Sequence, residues 1–460
     1  LLFNSFVFLY AFLPITYFVF WRLRSRDARY IWLAVTGYVF YAFWNPKFCA
    51  LMALSTLVSY AAGLGFLRWH DARRRRLCLV LPIVVDLSLL AFFKYVNFAL
   101  DTARWLGGYA HLTLPIEPID IVLPVGISFY TFHTITYVVD SYRGTITPTR
   151  NPFEFTCYVS LFCQLVAGPI VRFRQIEGDL DRIDTAERGR FGDSGWSFFA
   201  LGLVKKVLIA DTIASLIDPV LAHPGALPTA TAWACALGYT FQLYFDFSGY
   251  SDMAVGLGRL FGLRLPQNFA SPYKARNPAD FWRRWHISLS SVLRDYLYIP
   301  LGGSRGGETK AHRNIFITML LGGLWHGANW TFVAWGGYHA ALLSLHRVFA
   351  RPWVRIPAAL QVVGTFLLAV IGWVLFRAES FGLARDWLRS MFTWRPGGAP
   401  SPALWACIAV AAVISFALPN TFELSHDWRP APALGLTLLF STAMFVMYVG
   451  HQSPFLYFQF

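Results

Sequence analysis

Within the apolar run Leu321-Gly-Gly-Leu-Trp-His-Gly-Ala-Asn-Trp330 one imidazole, His326, is flanked by small residues that let other groups come close. His326 and Asn329 are three positions apart, so on a helix they project from the same side. A polar ring at membrane depth needs a partner or a water-filled cavity beside it. Imidazole is also the side chain best suited to take a proton near neutral pH, which a hydroxyl nucleophile requires before it attacks a thioester. His326 is therefore a candidate general base; the plainer alternative is a core histidine satisfied by a neighbour. No metal site is expected, because the other histidines, from His70 through His223 to His451, are scattered without H-x-x-x-H or H-E-x-x-H spacing. A G-x-S-x-G elbow and a Walker A loop are both missing, which argues against a serine hydrolase and a P-loop ATPase.

Two further segments mix polar residues with glycine in apolar surroundings. In Tyr244-Phe-Asp-Phe-Ser-Gly-Tyr-Ser-Asp252, Asp246 and Ser248 are candidates for a supporting role, since an acid inside a span is a functional candidate by default. The alternative is structural pairing with an arginine of the following segment, such as Arg283 or Arg284. In Phe281-Trp-Arg-Arg-Trp-His-Ile-Ser-Leu-Ser290 and its continuation to Gly303, a helical reading puts Arg283, His286, Ser290 and Arg294 on one face. Arg283, Arg284 and Arg294 could grip the phosphates of a nucleotide-bearing donor, or they could meet anionic lipid from an interfacial helix.

The elements that must position these residues are membrane helices. Hydrophobic residues make up 56% of the 460 and charged residues only 14%, with a mean hydropathy of +0.47, more apolar surface than a soluble core can hide. Apolar runs of about 20 residues recur along the chain, the length of a helix crossing ~30 Å of hydrocarbon; barrel strands would be half as long and alternating. The net charge of +14 comes from arginines clustered between apolar spans, which signals topology and not nucleic acid. The clusters Arg22 to Arg29 and Arg68 to Arg76 put the N-terminus outside and both clusters in the cytoplasm. Leu1 to Trp21 is too long and aromatic for a signal-peptide core and is expected to stay as the first span. The six cysteines form no C-x-x-C pair and indicate neither a zinc knuckle nor a disulfide framework.

Span four, Leu77 to about Val96, carries Asp86 and Lys94, each expected to face the bundle interior. Residues 101–120 read as a polar connection, and Ile121 to Val139 as a span kinked by Pro124 and Gly126. Further apolar runs lie at about 153–171, 196–217, 229–263, 314–347, 357–376, 403–419 and 433–450. With 229–263 and 314–347 as possible pairs, ten to twelve spans are expected. Residues 264–313, rich in arginine, proline and glycine, fit re-entrant or interfacial helices lining a cavity. The whole reads as one all-α membrane domain, with N-terminal spans to residue 120, a core from 121 to 347 and C-terminal spans from 348 to 460.

At these residues the sequence resembles the membrane-bound O-acyltransferases, in particular their bacterial branch of alginate O-acetyltransferases, with teichoic acid D-alanyl transferases more distant. The matching blocks are Leu123-Pro-Val-Gly-Ile-Ser-Phe-Tyr-Thr-Phe132, Gln164-Leu-Val-Ala-Gly-Pro-Ile-Val-Arg172, Phe245-Asp-Phe-Ser-Gly-Tyr-Ser-Asp-Met-Ala254, Phe281 to Gly303 and Leu321 to His339. They run from about residue 120 to 340 in the family's order, and together they are far more specific than any one alone. The resemblance implies a catalytic role for His326, in the W-H-G-x-x-W block that begins at Trp325, and a supporting one for His286, 40 positions earlier. It implies spans ringed around a central tunnel, where a cytoplasmic funnel for acyl-CoA meets an opening on the far side, so that the acyl group crosses and the donor does not.

On this reading His326 takes the proton of the acceptor hydroxyl, the thioester carbonyl is attacked, and Asn329 or His286 stabilises the oxyanion. The resemblance further implies acetyl-CoA as donor with no permanently bound cofactor, a bacterial inner-membrane location, and a separate periplasmic acetyltransferase partner that completes transfer to a polysaccharide. Membrane lipid is the other contact; nucleic acid is not expected. The alternatives are a transporter or flippase, which also uses intramembrane charge and broken helices, and a family member that acylates a lipid or a secreted protein.

Overall fold

The computed structural model describes residues 1–112, 117–187, 191–222, 227–450 and 455–456. His223 and His451, and part of the 101–120 connection, lie outside these. The described residues form helices joined by turns and irregular segments, with no strand. Among the described residues four helices are long and apolar enough to cross a membrane: Pro46–Arg68, Ala72–Tyr109, Ala358–Arg377 and Pro430–Val449. All six cysteines are free. The chain divides into two compact units, one of Leu1–Trp196 with Ala254–Pro266, the other of Ser197–Met253 with Gln267–Phe460.

In the first unit, helix Arg26–Ala42 lies against Pro152–Ser160 where Gly37 meets the carbonyl of Ser160, an approach that any Cβ would block. Asp86 is buried as expected, and its two oxygens accept from the hydroxyls of Ser55 (2.6 Å) and Thr134 (2.7 Å), which ties three helices together. Lys94 is half-buried. Arg29 does more than signal topology. Its guanidinium donates to the carbonyls of Leu23 (2.9 Å) and Ile183 and packs over Phe20 and Trp21. The run expected as a span at 153–171 is a helix only to Ser160. Residues 161–172 are irregular but buried, and such backbone is tolerated at membrane depth because protein groups satisfy it: the Tyr158 hydroxyl donates to Val171 O and the Gln164 amide to Tyr158 O.

Several expected boundaries move. Residues 101–109 are not a polar connection, since the helical path Ala72–Tyr109 passes through a π-turn at Ala91–Tyr95 and continues for 38 residues. Pro124 and Gly126 do not kink a helix but precede one: Gly126, at φ 76°, starts helix Ile127–Arg143. The stretch 229–263 is one helix, Thr229–Leu260, and not a pair. The stretch 314–347 is the expected pair, Glu308–His326 and Trp330–Val348.

In the second unit two glycine crossings set the frame. Gly202 faces Gly249 so closely that a Cβ on either would meet the other's carbonyl oxygen at 2.5–2.7 Å. Gly323 and Gly336 do the same for the hairpin of Glu308–His326 and Trp330–Val348, each against backbone of the opposite helix. Small residues at such crossings let backbones approach and side chains on either side interlock.

Candidate active site

Helix Glu308–His326 ends on His326, and the chain turns through Gly327 and Ala328 into Trp330–Val348. The turn is fixed by Asn329, whose side-chain oxygen accepts from the backbone N–H of Thr331 (3.0 Å) while its amide donates to Glu379 O (2.9 Å). Glycine at 323 and 336 brings the two helices together and sets the His326 ring against Trp335, with centroids 5.1 Å apart. Trp325 at 5.0 Å and Phe376 at 5.3 Å complete an aromatic wall. His326 is 5% exposed.

The second imidazole arrives by a different route. The continuous helix expected through Arg283, His286, Ser290 and Arg294 does not form. Helix Pro278–Arg284 stops, His286 adopts a left-handed conformation (φ 44°, ψ 55°), and a new helix Ile287–Val292 begins, followed by a π-turn at Leu293–Tyr298. For a non-glycine residue this conformation costs ~1–3 kcal/mol unless its surroundings enforce it. Here segment 268–270 enforces it, because Ala270 N donates to Arg284 O (3.0 Å) and Ile287 N to Asn268 O (2.9 Å), gripping the chain on both sides of His286.

The break turns the fully buried His286 ring inward, onto Phe247 (4.7 Å) and toward Trp325 (6.1 Å) and His326 (6.4 Å between centroids). Two histidines 40 positions apart therefore come side by side. At that separation their nitrogens lie beyond the ~3.2 Å reach of a direct hydrogen bond, so a proton passing between them needs an intervening group. A third imidazole, His339, lies on the other side of Trp335 at 4.9 Å, boxed by Phe281, Trp282 and Trp373.

Asp246 and Asp252 pair with lysines and not with Arg283 or Arg284. Lys206 reaches Asp246 and Asp211 at 2.6 Å each, and Lys205 reaches Asp252 at 2.6 Å. The acids sit three positions before and after Gly249, so the glycine crossing itself lays the two lysines between them. Asp246 also accepts from the backbone N–H of Leu456 (3.1 Å). Ser248 is buried, and its hydroxyl has no hydrogen-bond partner among the described residues.

Arg284 is bound to Asp280 (3.0 Å) and to Ala270 O (3.3 Å), and Arg294 to Asp295 (2.7 Å). Arg283 is exposed and its guanidinium donates to Ala279 O (3.2 Å). Among the described residues no group of three histidine, cysteine or acidic side chains could hold a metal ion.

Sequence reasoning missed Asn268, Lys205, Lys206, Trp335 and His339. The lysines carried a usable signal, two adjacent cations within the apolar run 196–217 that must find acids.

The model of the membrane-bound O-acyltransferase family matches residues 147–377, a stretch that contains both lysine pairs, Asn268, His286 and His326. The chain is 45% identical to a probable alginate O-acetylase of Pseudomonas aeruginosa, over 86% of this chain and 76% of the relative. It is 34% identical to a peptidoglycan O-acetyltransferase of Helicobacter pylori, over 100% and 98% of the two chains. A teichoic acid D-alanyltransferase of Bacillus subtilis is 26% identical over 57% and 71%.

Proposed function

The chain belongs to the membrane-bound O-acyltransferase family, and from that premise we propose that it carries acetyl groups from cytoplasmic acetyl-CoA to the hydroxyls of an exopolysaccharide, alginate or a polymer like it. The acetyl group crosses a bacterial inner membrane through a tunnel among ten to twelve spans, and a periplasmic acetyltransferase completes the transfer. The observation that carries this reading is the meeting of His286 and His326, buried side by side from positions 40 apart within the matched segment.

His326 takes the proton of the acceptor hydroxyl as the oxygen attacks the thioester carbonyl. The tetrahedral oxyanion collapses, the carbon–sulfur bond breaks, and the proton on His326 passes to the departing thiolate. His286 supports the step from across the pocket. Trp325 and Trp335 exclude water, which would otherwise compete as acceptor. Asn329 holds the turn that aims His326, and Asp246 and Ser248 support the wall carrying Phe247. Arg283, Arg284 and Arg294 are assigned to the donor's phosphates; of the three, Arg283 alone lies outside the ion pairs described above.

The test is His326→Ala in a strain lacking the chromosomal copy, with mass analysis of its polysaccharide. The expected result is loss of polymer-bound acetyl with normal membrane insertion. Acetylation retained by the variant would remove His326 from the mechanism. Esters lost from peptidoglycan, lipid or a secreted protein, with the exopolysaccharide unchanged, would overturn the acceptor.

A further inference from the structure

Asn268 lies outside every motif that points to the acyltransfer site, yet its side chain, 1% exposed, is bonded on both ends. Its Oδ1 lies 3.1 Å from Nδ1 of His286, 3.2 Å from the backbone N of Ser288 and 2.9 Å from the Ser288 hydroxyl. Its Nδ2 donates to the Ser251 hydroxyl at 3.2 Å. Chemistry fixes which end of the amide is which. The backbone N–H of Ser288 can only donate, so the atom facing it must be the oxygen. That oxygen has no proton to give, so Nδ1 of His286 must carry one. In the neutral ring the lone pair is then on Nε2.

We infer that Asn268 is a positioning residue for acyl transfer: it locks His286 in the Nδ1–H tautomer and in its left-handed backbone turn, so that His286 presents Nε2 to the pocket as a proton acceptor. This rests on the proposed acyltransferase site and sharpens it. His286 in its neutral form cannot donate a hydrogen bond to the oxyanion through Nε2. It accepts from the attacking hydroxyl, and becomes a donor only after taking a proton itself. The same amide oxygen then remains a good partner, because both nitrogens of an imidazolium donate. The backbone reinforces the assignment, since Asn268 O takes the N–H of Ile287 and so holds the turn that aims the ring.

Two independent measurements test this on the full-length protein in lipid. Solid-state ¹⁵N spectra of histidine-labelled protein, with His286 assigned by its loss in His286→Gln, report which nitrogen is protonated whether or not acetyl transfer is observed. The expected result is Nδ1–H; an Nε2–H ring overturns the lock even if the enzyme is active. Steady-state acetyl transfer from acetyl-CoA is then compared in Asn268→Ala and Asn268→Asp. Asn268→Ala should lower kcat by about a hundredfold with KM for acetyl-CoA unchanged.

Asn268→Asp keeps the acceptor and adds charge, so it should recover much of the rate and move the acid limb of the pH profile upward, because a carboxylate at Nδ1 stabilises the imidazolium. Among the described residues the titratable group facing His286 is His326, from helix Glu308–His326, with ring centroids 6.4 Å apart. It does not change in these variants. If Asn268→Ala fails to fold, Ser288→Ala, which removes one of the three donors on Oδ1, should slow kcat by a smaller factor with KM unchanged. A folded Asn268→Ala with wild-type kcat and pH profile, or an Asn268→Asp no better than Asn268→Ala, overturns the proposal. A wild-type protein that shows the Nδ1–H ring but transfers no acetyl would instead sink the proposed function.

Discussion

The second unit holds two buried polar clusters that solve the same problem in opposite ways. Beside the crossing of Gly202 and Gly249, Lys206 and Asp246 are 3% and 2% exposed and stand 2.6 Å apart as an ion pair. Around His326 and His286 the polar atoms are imidazoles, held by one amide and a wall of aromatic rings. Charges balanced so closely have no capacity to accept another proton without losing their partner. A neutral ring held at Nδ1 by an amide oxygen can take one and still keep that partner, because both nitrogens of an imidazolium donate. On the proposed reading the first cluster is a clamp and the second the reacting site, as the sequence ranks them, with His326 as candidate base and Asp246 in a supporting role or a structural pair.

The sharpest way to break this contrast is Lys206→Met. Asp246 would be left charged among buried apolar groups, and stability should fall by about 3–5 kcal/mol, read as a lower thermal midpoint in detergent. Adding D246N to it removes the deeper of the two stranded charges, Asp211 being 16% exposed, while keeping an oxygen for the Leu456 N–H, and most of the loss should return together with acetyl transfer. A double variant that is stable but inactive would show that the pair takes part in the chemistry.

Next in size is Gly323→Ala. A Cβ there would overlap the Phe332 carbonyl, so the hairpin must open and the His326 ring must leave Trp335. Overpacking of this kind costs about 1–3 kcal/mol, but the larger effect should be on kcat, since ångström displacements of reacting groups cost about a hundredfold. Unchanged kcat beside a reduced midpoint would mean that the aromatic wall does not position His326.

How much of this was legible in the sequence depends on whether the relevant interaction was local. His326 stood out because an imidazole inside an apolar run must be accounted for wherever it lies. The pairing of Glu308–His326 with Trp330–Val348 was legible only as a possibility: the expectation that His326 and Asn329 share a helix face ran one helix through 327–329, whereas the first helix ends at His326 and Asn329 caps the next. His286 was found by type and misplaced by geometry. A single helical face through 283, 286, 290 and 294 assumed that nothing interrupts the helix, whereas two backbone bonds from segment 268–270 do so. The same blindness to distant partners assigned Asp246 to arginines 37 and 38 residues downstream, not to Lys206, 40 upstream. Thr229–Leu260 was readable as two spans because 32 residues give a helix of about 48 Å, longer than the ~30 Å of hydrocarbon. Asn268 carried no signal, because its importance comes entirely from what folds onto it.

The smallest expected effect concerns the outer arm of the clamp, and it tests whether burial or charge makes the inner arm strong. Lys205 donates to Asp252 (2.6 Å) and to the Thr421 hydroxyl (2.7 Å), which in turn donates to Asp252 (2.6 Å), so three groups close a triangle. Lys205 and Asp252 are 16% and 8% exposed, against 3% and 2% for the inner pair. Thr421→Val keeps the shape and deletes two hydrogen bonds while the ion pair stays. If the outer arm reaches water, solvent replaces the hydroxyl, and the loss should be about 1 kcal/mol with acetyl transfer unaltered. A loss as large as that of Lys206→Met would mean the triangle is as dry as the inner pair, and that charge pairing, more than depth, holds this crossing together.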